Sequence, residues 1–345
     1  MSSLPTYQYV RSSRQKRQRM WFCIVTSLFV LAFAAWCLTL VLGQSYTSPV
    51  DVWHVLLGEN VPSASFTVGY LRLPRAVLSV LVGMSFGLAG VAFQTMLRNP
   101  LASPDIVGVS SGASAAAVFA IIVLHMDGPS VAVFSIVAGL GVALLVYGLS
   151  YKNGVAGTRL ILIGIGVSAM IESVIAYLLS QASSWDLQEA MRWLTGSINS
   201  AQLSQAIPIL LSLVVFGGLL LARTKDLEAL RMGDDTAAAL GVNVGLTRIT
   251  VIVCAVGLIA VATAVTGPIA FVAFLSGPIA SRIVGSNGSL LIPSALVGAC
   301  LVLGGDYIGQ FLLPTRYPVG VITGALGAPY LIYLIIRVNR KGGSL

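Results

Sequence analysis

The chain is a succession of long apolar stretches broken by short polar ones. Charge-poor runs occupy Trp21–Gly43, Ala76–Leu97, Ile106–Leu124, Ser130–Ser150, Leu160–Gln181, Ser204–Ala222, Ser289–Leu313 and Tyr317–Ile336. Each is close to the roughly 20 residues that carry an α-helix across a ~30 Å hydrocarbon layer. A ninth run, Ile249–Ser281, holds no charge over 33 residues and is too long for one ordinary span. Gly267-Pro268 interrupts it, and a proline removes a backbone donor and clashes one turn back. The pattern therefore predicts two helices joined near Gly267, the second of them short.

Charge decides whether that run crosses once or twice. Lys and Arg collect in cytoplasmic loops. With ten crossings and the N-terminus inside, sixteen of the 20 basic residues lie inside, and only Arg72, Arg75, Arg192 and Arg316 lie outside. Nine crossings worsen the split to thirteen against seven. The expectation is an all-α integral membrane protein of ten transmembrane helices, residues 21–336, with cytoplasmic tails at 1–20 and 337–345. The first apolar run is too long for a signal peptide and reads as a retained helix.

Composition agrees. The chain is 57% hydrophobic and 9% charged, with a mean hydropathy of +0.91, whereas soluble domains carry about 25% charged residues. The net charge of +8 is read as topology rather than nucleic-acid binding. Cys23, Cys37, Cys254 and Cys300 lie in apolar runs without metal-ligand spacing, and His54 and His125 form no cluster. No glycine-rich loop ending in Lys-Ser or Lys-Thr is present, so ATP hydrolysis, if coupled, belongs to a partner.

Two connections are long. The outer one, Gln44–Arg75, contains a short helix starting at Pro49 or Val50 with Asp51 in its first turn. The inner one, Arg223–Arg248, reads as two short helices. Asp226 caps the first, which runs to Met232 and ends at a left-handed Gly233. Asp234 or Asp235 caps the second, which ends at Gly241. At Asn99-Pro100 and Ser103-Pro104 the chain turns, and Asp105 is placed to cap the next helix. Glu172 and Asp306 lie inside apolar runs, where a carboxylate is costly and hence a functional candidate, although a structural role competes.

The stretches "LRLPR", "GLAGVAFQTMLRNPLASPDIVGVSSGA", "MGDDTAAALGV", "GPIAFVAFLSGPIASRIVG" and "YPVGVITGALGAPYLIYLI" follow one another in an order that resembles the FecCD-type permeases of iron-siderophore and cobalamin ABC importers, in particular those for ferric enterobactin and related siderophores. The likeness runs from about Leu71 to Ile336. It implies a type II importer permease fold in a bacterial cytoplasmic membrane. It also implies import of a ferric siderophore, with cobalamin or haem as alternative cargo. The partners implied are a second permease subunit (heterodimer favoured over homodimer), two ATPases that hold ATP and Mg, and an extracytoplasmic binding protein.

In this chain no cofactor is expected. Arg231, Met232, Gly233, Asp234, Asp235, Ala239, Leu240 and Gly241 would form the loop gripped by an ATPase. Arg72 and Arg75 would face acidic residues of the binding protein, although both also suit anchoring at lipid headgroups. Two positions depart from the family pattern: Gly277-Pro278 stands where many members have Pro-His, and Arg316 stands where many have an acidic or amide residue. Arg316 adds a third cation at the docking face. A rival reading, an ion-coupled secondary transporter, needs ionisable residues near mid-membrane, and Glu172 is the one available.

Overall fold

The computed structural model describes residues 6–62, 64–150, 157–199 and 201–340. The tail positions 1–5 and 341–345, and the predicted inner residue Lys152, lie outside the described residues. Among the described residues the structure is helical, with no strand.

Helix α1 (Thr6–Val41) starts inside the basic N-terminal segment, so the polar residues before Trp21 extend the helix rather than precede it. Trp21 Nε1 donates to the Ser289 carbonyl at 2.8 Å and ties α1 to the far end of the chain. The short α2 (Pro49–Leu56) is capped by Ser48 and carries Asp51 in its first turn, as its sequence predicts. A π-helical segment, Ser65–Arg72, runs without a break into α3 (Leu73–Leu97), and Pro74, which brings no N–H, lies where the wider turns give way to α-helix. Then follow α4 (Val109–Ile122), α5 (Gly128–Ser150), α6 (Gly157–Ser180) and the amphipathic α7 (Ser184–Leu194). The next span is built from α8 (Ala206–Ser212) and α9 (Gly218–Ala222) around a π-helical turn. Two short helices, α10 (Thr224–Leu230) and α11 (Asp234–Ala239), form a knob. The chain ends with α12 (Val244–Thr266), α13 (Val272–Val284), α14 (Leu291–Tyr307) and α15 (Val319–Arg340).

Among the described residues, seven helical segments are long and apolar enough to cross a membrane, and three shorter apolar helices, Val109–Ile122, Val272–Val284 and Val319–Leu334, accompany them. These ten are the segments that the hydrophobic pattern marks. Gly267 ends α12 at φ +71, and α13 after it spans only 13 residues.

Helix α3 is the axis of the bundle. It packs on α14, α12 and α13, and its most apolar stretch is 78% buried, against 11% for α6. The α3–α14 contact rests on missing side chains. A Cβ at Gly83 or Gly87 would overlap the carbonyls of Gly298 or Ser294, and a Cβ at Gly298 would overlap that of Gly83. Small residues let backbones meet, which in lipid supplies the van der Waals contact that apolar burial cannot.

Gly87→Val is therefore expected to force α3 from α14 at a cost of about 1–3 kcal/mol or more, lowering the thermal midpoint of the protein in mild detergent. Gly141→Val on α5, where no atom lies within 4 Å of the added carbon, is expected to leave that midpoint unchanged.

Candidate functional site

Three features stand out from the packed bundle: the knob, a polar cavity at the opposite end, and an exposed face of α6.

The knob has its own small core, with Ala229, Leu230 and Ala237 buried against Val242 and Val244. Its two helices meet at Gly233, whose φ of 114 and ψ of 156 only glycine adopts without strain. The predicted caps are corrected here. Asp226 stands in the first turn of α10 and pairs with Arg223 at 2.9 Å. Neither Asp234 nor Asp235 caps α11 through its side chain, because Gly233 holds that position. Asp234 instead accepts from Arg248 at the start of α12 at 2.7 Å and faces Arg98 after α3 at 3.5 Å. Carboxylate–guanidinium attraction thus hangs the knob on two spans. Asp235 is exposed. Around it Met232 and Leu240 are 60% and 62% exposed, two large apolar side chains at the tip of a charged loop. Arg231 pairs with Glu228 at 3.4 Å, and Ala239 and Gly241 are exposed beside Leu240.

Arg98 takes a left-handed conformation (φ 52) that closes α3, with Arg98 N–H donating to the Thr95 carbonyl and Asn99 N–H to that of Gln94. Beyond it Ser103, not Asp105, caps the next turn, accepting from Asp105 N–H. The Asp105 carboxyl accepts from the hydroxyls of Ser103 and Ser110, and burial pushes it above the usual carboxylate range.

The Gly277-Pro278 pair has a geometric cause. Pro278 has no N–H, so the Phe274 carbonyl one turn back lacks its helical donor. Gln94 Nε2 of α3 donates to it at 3.0 Å. A Cβ at Gly277 would overlap Gln94 Oε1, so the glycine makes room for that replacement bond.

At the opposite end a cavity of about 740 Å³ is lined by Arg72, Arg75, Asn199, Asp306, Gln310 and Arg316, among others. Its three cations differ. Arg72 is buried, contrary to the expectation of an exposed docking cation. Its guanidinium donates to the Leu40, Val41 and Ser45 carbonyls and to Thr47 Oγ1 and Ser45 Oγ, closing the last turn of α1. Arg75 Nη2 reaches Asp306 Oδ1 of α14 at 2.7 Å, with both side chains largely buried. Two residues singled out separately thus form one pair. Arg316 is exposed.

Glu172 is exposed on α6, and among the described residues it makes no hydrogen bond or ion pair. Gly166, Ala169, Ser173, Ala176 and Ser180 share the exposed side of that helix at alternating spacings of three and four. Bulky residues, among them Leu162, Met170 and Tyr177, are exposed on the same helix, as Phe29, Phe33, Val137 and Leu144 are on α1 and α5; what sets α6 apart is the carboxylate of Glu172 beside small residues.

A family model, the FecCD transport family, matches residues 30–337. The chain is 40% identical to the ferric enterobactin transport system permease protein FepG of Escherichia coli (strain K12), over 84% of this chain and 88% of that one. It is 33% identical to the iron(3+)-hydroxamate import system permease protein FhuG of Bacillus subtilis (strain 168), over 92% and 97%. Among solved structures, one described as an inward-facing metal-chelate type ABC transporter superposes with a TM-score of 0.80 at 26% identity, covering 92% of this chain and 99% of that one.

Asp306→Asn is expected to leave Arg75 buried without its anion, at roughly 3–5 kcal/mol. Thermal unfolding in detergent checks this, and the exchange Arg75→Asp with Asp306→Arg is expected to recover part of the loss.

Proposed function

This chain belongs to the FecCD transport family, and from that premise we propose how it serves as the membrane permease subunit of an ATP-driven importer of a ferric siderophore. It is a transport subunit, not an enzyme. ATP is hydrolysed on a separate ATPase subunit, and the cargo arrives on a binding protein.

The observation that carries the coupling mechanism is Asp234. A partner that grips the exposed tip of the knob, at Met232, Asp235 and Leu240, pulls on a unit tied by Asp234 to both α3 and α12. Movement of the knob then reaches the buried axis of the bundle through ion pairs rather than a slack loop. The knob end is cytoplasmic in this reading, as the distribution of Arg and Lys favours. The protein sits in the cytoplasmic membrane of a bacterium with both termini inside.

The opposite end receives the binding protein. Arg316 is the cation there with its charge exposed. Arg72 and Arg75 support that surface from below, one by closing α1 and the other by joining α3 to α14. The small-residue face of α6 meets the second permease subunit across the transport pathway. A carboxylate is out of place against lipid tails, and the small residues beside it leave room for a bulky chelate to pass. A non-identical second subunit is the assembly we favour.

Two experiments test this. Asp234→Asn, reconstituted with its ATPases in proteoliposomes, is expected to retain ATP hydrolysis while chelate uptake per ATP falls by roughly tenfold. Unchanged uptake per ATP would falsify the tether. Arg316→Glu is expected to weaken capture of the loaded binding protein, more so at low salt, where charge is less screened. Equal affinity at both salt levels would remove Arg316 from the docking surface.

A further inference from the structure

Deep in the bundle, charged side chains of the described residues find partners. Arg75 and Asp306 neutralise each other. Arg248 pairs with Asp234, and Arg282 lies over the rings of Tyr330 and Tyr333 at 5.4 and 5.0 Å. Near the middle of α6, Glu172 makes no hydrogen bond or ion pair among the described residues.

From this we infer that Glu172 is a specificity-determining residue of the transport pathway, selecting ferric chelates by net charge: it favours neutral or cationic chelates and opposes trianionic ones. The inference rests on the reading that α6 lines that pathway.

Position argues first. Glu172 lies eight residues before the end of α6 at Ser180, about 12 Å along the helix axis. A glutamate side chain is too short to reach the headgroups from there. An ionised carboxylate held against hydrocarbon costs several kcal/mol, and such groups face water-filled cavities or partners.

The surroundings argue next. Ala169, Ser173 and Ala176, within one turn on the exposed side, are too small to shield the carboxylate from a bulky passenger. The next charged residue on α6 is Arg159, about 20 Å along the axis. The two long helices packed against α6, α4 and α5, contain no charged residue. Low-dielectric walls focus a lone charge instead of dissipating it. A ferric tris-hydroxamate is neutral, and an amine-bearing one is cationic. A ferric tris-catecholate carries three negative charges and meets three times the repulsion of a monoanion.

The test uses the complete importer with its ATPases, second permease and binding protein in proteoliposomes. Initial uptake of iron-55 is measured for a tris-hydroxamate and a tris-catecholate, each divided by the fraction loaded on the binding protein. Glu172→Gln is expected to raise the catecholate-to-hydroxamate ratio, and Glu172→Lys to raise it further, on the order of tenfold. A ratio unchanged in both variants overturns the inference. In a second measurement, Glu172→Cys in the assembled importer is expected to react with a membrane-impermeant thiol reagent during turnover and to lose uptake as it does. Protection from that reagent places residue 172 in lipid or a sealed contact and also overturns the inference. A wild-type importer that moves neither chelate with ATP counts against the functional reading itself and is distinguishable from a failure at Glu172.

Discussion

The structure depends on one backbone-to-backbone contact. Where α3 crosses α14, Gly83 and Gly87 lie against Gly298 and Ser294 with no room for a Cβ at any of the three glycines. In water, two apolar helices associate because their surfaces leave the solvent. In lipid that gain is absent, and association has to come from close van der Waals contact and from polar groups that find each other. The glycines provide the first. Arg75 and Asp306, on the same two helices, provide the second. The contact makes α3 and α14 effectively one body, and the remaining helices are arranged around it.

Both ends of that body carry chemistry. At one end, Arg72 collects the carbonyls left over by the last turn of α1. At the other, Gln94 serves a carbonyl that Pro278 orphaned in α13, and Arg98, just past the helix, meets the knob. A buried carbonyl without a donor costs about 1–3 kcal/mol, so each of these long side chains holds its neighbour helix firmly. A force applied at the knob therefore has a stiff route to α3 and on to α13. The α6 face is different in kind: little of it is covered by the rest of the chain, which leaves it open to the subunit contact proposed above.

Much of this was legible in the sequence, and the reason is physical. Spanning a hydrocarbon layer imposes a length and a composition, which the ten apolar segments announce. Gly267-Pro268 marks the break between α12 and α13: Gly267 closes α12 at φ +71 and Pro268 brings no N–H, whereas Gly277-Pro278 stays inside α13, where Gln94 serves the carbonyl that the proline leaves free. The two knob helices were readable from Gly233 and Gly241. Their caps were not, because an aspartate at a helix start has two outlets, its own backbone or a distant cation. Asp234 takes Arg98 and Arg248, and no local pattern reports that choice. The Arg75–Asp306 pair joins residues 231 positions apart and needs the fold to be seen. Arg72 misled for a related reason: an arginine beside the membrane reads as a surface cation until the carbonyls of another helix are placed around it.

The placement of charge then follows a single rule with two outcomes. A charge within the membrane's depth has to be paired by the protein or wetted by the pathway. Arg75 and Asp306 take the first course, and their field largely cancels. Glu172 has no hydrogen bond or ion pair among the described residues, and by the inference above takes the second. The mouth of the subunit is thus positive through Arg316, while the α6 face is negative. Such an order suits transport better than a uniformly attractive lining would. Conduction requires binding strong enough to admit a solute and weak enough to release it. In the transport reading proposed above, a cationic mouth would hold an acidic docking surface in place, and a face with one negative charge would give an anionic chelate little to cling to after it has been handed over.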